Sequence, residues 1–347
     1  MKSKLHIKGS TLWKVCALLI LGISLTCCFL EVTNLEQPVT ATAGQVIPIT
    51  LHDSIATNIN TPNYIVANYV YCFLAPKGWA AAQNATVTYT SSLGNGSMQL
   101  MPSSSLEPTS VGAGTNLTWP AACAAKFGLG KNLVNDVEWV VFESKTQITI
   151  DNTITLTGNI NMQLKVGADG NNTSYFPEYI TCESVDGLND DDLWDASHPY
   201  WTRTDGACLV QAGTDGDLND YCNPQLVAVN PPKALDNEFI TITYNNKLIT
   251  TPLSTHSDIY LCVDTAYTSD GKALTGFCVQ NAQSQLIQTS AASGLYNLTI
   301  WPRSYFGITG TTTLTELVYH ITDGQGNNRV GYGGNPNVAF TYKFKCN

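Results

Sequence analysis

Positive charge is scarce in this chain. Its 347 residues carry 17 Lys+Arg against 27 Asp+Glu, a formal charge of −10, and only 13% are charged at all, about half of the ~25% usual for globular chains. Lys2, Lys4, Lys8 and Lys14 all precede an apolar run, so the remainder is more acidic still. No basic stripe exists to displace counterions from phosphates, which excludes nucleic acid as a partner. Histidine is sparse too. His6, His52, His198, His256 and His320 are all there are, and none stands in HExxH or another metal-ligand spacing. No cysteine pair has the CxxC spacing of a zinc site. A GxSxG nucleophile elbow is missing, since Gly94-Asn95-Gly96-Ser97-Met98 lacks the final glycine. No glycine loop suited to phosphate occurs, and context singles out no pair of the acids for glycosidase chemistry. The expectation is a protein that is not an enzyme and carries no resident cofactor.

Long apolar runs are confined to one place. The stretch from Val15 to Leu30 follows the four lysines, and the first acid is Glu31, the layout of an export signal. At 16 residues the run falls short of the roughly 20 needed to span a bilayer. Leu25-Thr26-Cys27-Cys28 resembles a bacterial lipobox, with Cys28 three positions after Leu25. Cys27 departs from that pattern, and ordinary signal-peptidase cleavage nearby is the other reading. The expectation is lipidation of Cys28, with residues 1–28 as signal and 29–38 as tether.

Cysteines 72, 123, 182, 208, 222, 262, 278 and 346 lie beyond this leader. Eight cysteines in an exported chain permit disulfides but allow 105 pairings. One pair is more legible. Ile259-Tyr-Leu-Cys262-Val263, the turn Ser269-Asp-Gly-Lys272 and Leu274-Thr-Gly-Phe-Cys278 read as a hairpin that sets Cys262 opposite Cys278. Free buried thiols are the alternative, because cysteine is a good small hydrophobe.

Periodicity is that of strands. In 153–166 the apolar residues Ile154, Leu156, Ile160, Met162, Leu164 and Val166 all fall on even numbers, and Phe340, Tyr342, Phe344 and Cys346 alternate with polar residues. Similar short runs occur at 64–74, 137–143, 238–244, 296–300 and 314–322, separated by Gly, Asn, Asp and Pro clusters. The nearest approach to a helix is Pro120–Gly128, with proline suited to a first helical position and glycine to a stop. Trp119-Pro120, Phe127-Gly128 and Val137, Trp139, Val141 are echoed by Trp301-Pro302, Phe306-Gly307 and Leu317, Tyr319, Ile321. This repeat predicts an all-β protein of two tandem antiparallel β-sandwich domains, 39–166 and 230–347, with 167–229 as a long irregular connection. Trp79, Trp119, Trp139 and Trp301 belong to the repeats and are assigned to cores.

The patches Ala75-Pro-Lys-Gly-Trp79, Lys126-Phe-Gly-Leu-Gly130, Asn135-Asp-Val-Glu-Trp139 and Trp301-Pro-Arg-Ser-Tyr-Phe-Gly307 resemble a family of exported β-sandwich lipoproteins. Its members are similar to accessory surface proteins of starch-utilisation-type glycan uptake systems. The resemblance implies immunoglobulin-like domains and a lipid anchor in the outer membrane or cell surface of a Gram-negative bacterium. It also implies glycan-transporter components and an oligosaccharide or polysaccharide as partners. It implies no catalytic residue.

Residues 167–224 gather aromatics among acids. Trp194, Tyr200 and Trp201, with Tyr175 and Phe176, could stack on the apolar faces of sugars while nearby carboxylates and amides bind hydroxyls. The competing reading packs the same rings between the sandwiches, since large aromatics are usually buried. Asp215, Asp217 and Asn219 alternate like the opening of a calcium loop, but the glycine and glutamate that complete one are missing, and a solvated turn is the other reading. Two functions follow: a non-catalytic carbohydrate-binding accessory lipoprotein, or a structural or adhesive surface protein that contacts a protein partner.

Overall fold

A computed structural model describes residues 29–56, 65–133, 136–150, 155–190, 200–214, 218–290 and 293–345. The signal and Cys28, along with Trp194, Asp215, Asp217 and Cys346, lie outside the described residues. The chain is nearly all β, in two tandem immunoglobulin-like sandwiches. No described helix is long and apolar enough to cross a membrane.

The first module is one nine-stranded antiparallel sheet. Its strands are β1 (Phe29–Glu36), β2 (Val46–Ala56), β3 (Tyr69–Pro76), β4 (Ala85–Ser91), β5 (Gly94–Leu100), β6 (Val137–Ser144), β7 (Thr155–Lys165), β8 (Glu178–Glu183) and β9 (Thr202–Asp205), ordered β1-β2-β7-β4-β5-β6-β3-β8-β9. Edge strands β1 and β9 approach one another, so the sheet curls on itself. The even-numbered alternation places Ile160, Met162 and Leu164 of β7 opposite Leu51, Ile49 and Ile47 of β2, and all six are buried. Aromatics fill the rest of this interior: Tyr71 stacks on Phe73 and on Tyr179 at 5.6 and 6.2 Å, and Phe73 on Phe142 at 6.2 Å. At the end of the buried row in β2, where a fourth apolar residue would continue the pattern, stands Asp53. It is 4% exposed, has no hydrogen-bond partner, and burial pushes its carboxyl up to about 8.

The opposite face of β3, β6 and β8 is also buried, and helix α1 (Trp119–Phe127) packs there against β6. Pro120 occupies the first turn, and Gly128 takes φ 81° to end the helix, a conformation open to glycine at no steric cost. The Trp139 indole donates to the Gly128 carbonyl at 2.8 Å, tying helix stop to strand.

The described residues of 167–229 are not an irregular connection. They supply β8 and β9 to the first sheet, and segments 172–175, 209–212 and 218–220 join Thr40–Thr42 in a four-stranded sheet. Disulfide Cys208–Cys222 closes this region. The sequence there hides its strands because they are short and carry polar residues such as Asn172, Thr173 and Gln211, whose fit depends on partners distant in the chain. Trp79 shows the arrangement: its indole donates to Gln211 Oε1 at 2.9 Å while its ring meets Tyr175 edge-on.

The second module orders β10 (Val227–Asn230), β11 (Ile240–Asn245), β12 (Ile259–Thr268), β13 (Gln285–Gln288), β14 (Leu295–Ile300) and β15 (Leu314–Asp323) as β10-β11-β14-β13-β12-β15, with β16 (Phe340–Lys343) added on β15. Ile240, Ile242 and Tyr244 face Leu261, Leu317, Tyr319 and Ile321 in one apolar cluster. The Asp270-Gly271 turn forms, and Cys262 and Cys278 are bonded as the hairpin reading required, with Cα atoms 4.0 Å apart. The sequence echo is structural: a short helix opened by Trp-Pro and closed by Phe-Gly precedes a buried strand in each module.

The modules are braced rather than tethered. Gln225 exchanges backbone hydrogen bonds with Lys131 and Leu133, at 3.0 and 2.8 Å, and the Tyr332 phenol donates to the Asp220 carboxylate.

Candidate functional site

Among the described residues, the aromatics of 167–201 do not assemble into an open platform. Tyr175 is 2% exposed, locked in its strand against Trp79, and it is removed from the candidate sugar-binding set because no face of its ring reaches solvent. Trp201 is half-buried and committed on three sides. Its ring meets Phe127 edge-on at 4.8 Å, the Lys126 ammonium lies 5.0 Å from its centroid, and its indole donates to Asp190 at 3.0 Å. Lys126 in turn pairs with Asp190 at 2.6 Å and donates to the Leu188 carbonyl. This cluster caps the carboxyl end of helix α1, where a cation suits the helix dipole. Tyr200 is half-buried, its amide bonded to the Asn189 carbonyl, and Phe176 is exposed.

Acids of the same region serve the backbone. Glu183 accepts from the amides of Val185 and Asp186 at 2.6 and 2.5 Å, and burial nonetheless pushes its carboxyl up to about 7. Glu107, 2% exposed, caps Pro108–Gly112 through the amides of Thr109 and Ser110 and also accepts from Leu188. Asn219 lies in the segment 218–220, paired with Thr173. Its neighbour Asp220 accepts from Ser174, Cys222 and Asn223 as well as from Tyr332. Among the described residues no group of three or more His, Cys, Asp or Glu could hold a metal ion.

An exposed aromatic pair stands elsewhere. Phe239 and Trp301 are 67% and 46% exposed, the two most exposed among the described Phe and Trp residues, with ring centroids 6.4 Å apart and planes at 39°. The strands below dictate this. Ile240, Ile242 and Tyr244 of β11 and Tyr296, Leu298 and Ile300 of β14 point inward, and Ile240 pairs with Ile300. The odd positions therefore face out, placing Phe239 beside Trp301 and Thr241 beside Thr299, whose hydroxyls meet at 2.8 Å. Asn297 and Ile287 extend the face, and Ile287 is 62% exposed. No charged side chain belongs to these positions. The ion pair Arg303–Asp236, at 3.0 Å, has a buried acid and an arginine that also binds the carbonyls of Thr312 and Gly310. The Trp301 indole donates to the Asn237 carbonyl at 3.2 Å, which orients the ring without covering it.

Trp301 therefore corrects its assignment to a core, while Trp79, Trp119 and Trp139 are buried as expected. The signal was present: the even-numbered parity of Tyr296, Leu298 and Ile300 already assigns position 301 to the outside.

Solved structures share only a coarse likeness. A protein whose structure is titled "AvmM Catalyzes Macrocyclization in Alchivemycin A Biosynthesis" is 7% identical over 53% of this chain and 90% of its own, with a TM-score of 0.26. The group B streptococcus pilus 2b backbone protein is 10% identical over 89% of this chain and 88% of its own, at 0.25. The C-terminal domain of the Streptococcus agalactiae AgI/II polypeptide BspA is 9% identical over 92% and 97%, at 0.23. No curated protein matches. Residues 227–330 match the model described as Domain of unknown function (DUF8578). Residues 30–225, more than half of the sequence, match that of Domain of unknown function (DUF4961), and the chain belongs to this family.

Proposed function

We propose that the chain is a non-catalytic adhesive surface protein that meets a protein partner through the outer face of its second module. In this reading it is exported and held at the outer membrane or cell surface through Cys28. One observation carries it: Phe239 and Trp301 are displayed side by side on an uncharged sheet face. Large aromatics are enriched at the centres of protein interfaces, and charge is depleted there. The contact of Tyr332 with Asp220 supports the same reading, because it favours one orientation of that face.

A neutral oligosaccharide is the second reading, favoured by the Thr241–Thr299 hydroxyl rung beside the rings, since rings can stack on sugar faces while hydroxyls bind sugar hydroxyls. The test is retention of chain-coated fluorescent beads on a layer of intact cells, comparing wild type with a Phe239→Ser/Trp301→Ser variant. The variant should keep its melting temperature and lose retention. Protease treatment of the cell layer should abolish wild-type retention; loss on periodate treatment with resistance to protease transfers the site to the glycan reading. Undiminished retention by the folded variant removes this face from the function.

A further inference from the structure

We infer that Cys72 and Cys123 close a third disulfide in the exported protein, fastening helix α1 to the sheet it covers, with Cys182 left as a neighbouring thiol. In the structure all three are thiols, and they are 0%, 0% and 1% exposed. The other four described cysteines are joined as Cys208–Cys222 and Cys262–Cys278.

The geometry follows from register. Cys72 of β3 pairs with Val141 of β6 on one side and Ile180 of β8 on the other, while Leu74 pairs with Trp139. Cys72, Val141, Leu74, Trp139 and Cys182 consequently share the face that the helix covers. Phe127 lies against Trp139, with ring centroids at 6.0 Å. Cys123 is four residues earlier on the same helical stripe, about 6 Å along the axis. Val141 is two residues beyond Trp139, about 6.8 Å along the strand. The helix stop sits on Trp139, while its first residue, Trp119, is bonded to the Ser105 carbonyl just beyond Met101, whose amide is bonded to Val141, so the helix runs back along β6 and Cys123 lies near the Val141–Cys72 rung. After burial, the neighbouring Cys123 thiol is the next cause that raises the Cys72 thiol above its ordinary range, which agrees with this placement. Cys182 pairs with Val70 and is thus only a diagonal neighbour of Cys72. Diagonal side chains sit about 7–8 Å apart, well beyond the ~3.8 Å between Cβ atoms of a disulfide.

The oxidant is a thiol–disulfide oxidoreductase in its disulfide form. One cysteine thiolate attacks that disulfide and displaces a thiolate from it, and the second attacks the resulting mixed disulfide. One S–S bond forms in the chain and one breaks in the oxidant. Two electrons pass to the oxidant, and the two cysteine protons end on its dithiol. Both sulfurs are sealed from solvent once the helix has docked, so the bond forms during folding.

The test uses the full chain exported by a bacterial host into an oxidising compartment, then denatured in iodoacetamide without reductant, digested and mapped by mass spectrometry. The expected product links the peptide of Cys72 to that of Cys123 and carries alkylated Cys182, with the two disulfides of the structure as internal controls. Alkylation of both Cys72 and Cys123 while the controls stay intact overturns the proposal. A bridge from Cys182 to either of them does so equally.

Discussion

The Tyr332 phenol, on a turn of the second module, donates to the carboxylate of Asp220, which belongs to the sheet of the first. Burial would raise this carboxyl, but hydrogen bonds from Asn223, Ser174 and Tyr332 outweigh it and hold the group below the usual aspartate range.

Tyr332→Phe keeps the ring and removes this donor. A hydrogen bond to a charged group contributes about 1.5–3 kcal/mol, so calorimetry should show the two modules unfolding at more widely separated temperatures than in wild type. Coincident, unshifted transitions would mean that the Gln225 strand contacts brace the modules without it. The depressed Asp220 contributes stability that is present above its unfolded pKa and is lost as pH falls through its folded value, so the wild-type excess over Tyr332→Phe should shrink in acid.

Asp53 acts in the opposite sense. Its folded pKa of about 8 exceeds the ordinary 3.8, so the folded state holds a proton that the unfolded chain has released. Its contribution is greatest below the unfolded pKa and declines as pH rises toward the folded value, by about 1.4 kcal/mol per pH unit. Asp53→Asn should flatten that decline, measured by urea unfolding at several pH values between about 5 and 8. Parallel wild-type and variant profiles would show that Asp53 is charged in the folded protein.

Tryptophans 139 and 301 both belong to the sequence echo, Trp139 matching Tyr319 and Trp301 matching Trp119, but only Trp139 lies in a core. Trp139→Ser removes a ring that is 4% exposed and a bond to Gly128, with an expected loss of about 3–5 kcal/mol. Trp301→Ser should cost less than about 1 kcal/mol. Equal losses in denaturant titration would place Trp301 in a core after all.

Removing Cys208–Cys222 through paired serines opens a link spanning 14 positions. Loops of that length are stabilised by about 3 kcal/mol when closed. The loss should appear as earlier proteolytic cleavage between residues 200 and 226, with the second module intact.

Much of the fold was legible because alternation is a local property. The parity of Ile160, Met162 and Leu164, the Asp270-Gly271 turn and the Trp-Pro to Phe-Gly echo each describe their own strand, hairpin or helix, and each formed. What failed to show was pairing at a distance. Asn172–Tyr175 reads as loop until Leu209–Ala212 and Leu218–Asp220 are beside it, so the region looked like a connection. The exposed pair is hard to read for a related reason: aromatic density points to Trp201, whose partners Phe127 and Lys126 lie on a distant helix, whereas Phe239 and Trp301 each flank a different strand. Parity alone gave Phe239 and Trp301 their outward direction, and only the Ile240–Ile300 register joined them.

The four-stranded sheet also fixes an order of events. Thr40–Thr42 emerges early in synthesis or translocation, yet its parallel partner, Leu209–Ala212, follows more than 160 residues later. The first module thus waits, with sheet edges open, until residue 212 has been delivered. Products truncated before residue 212 would expose those edges to proteases and to one another, whereas the second module draws its strands from one contiguous stretch and closes last.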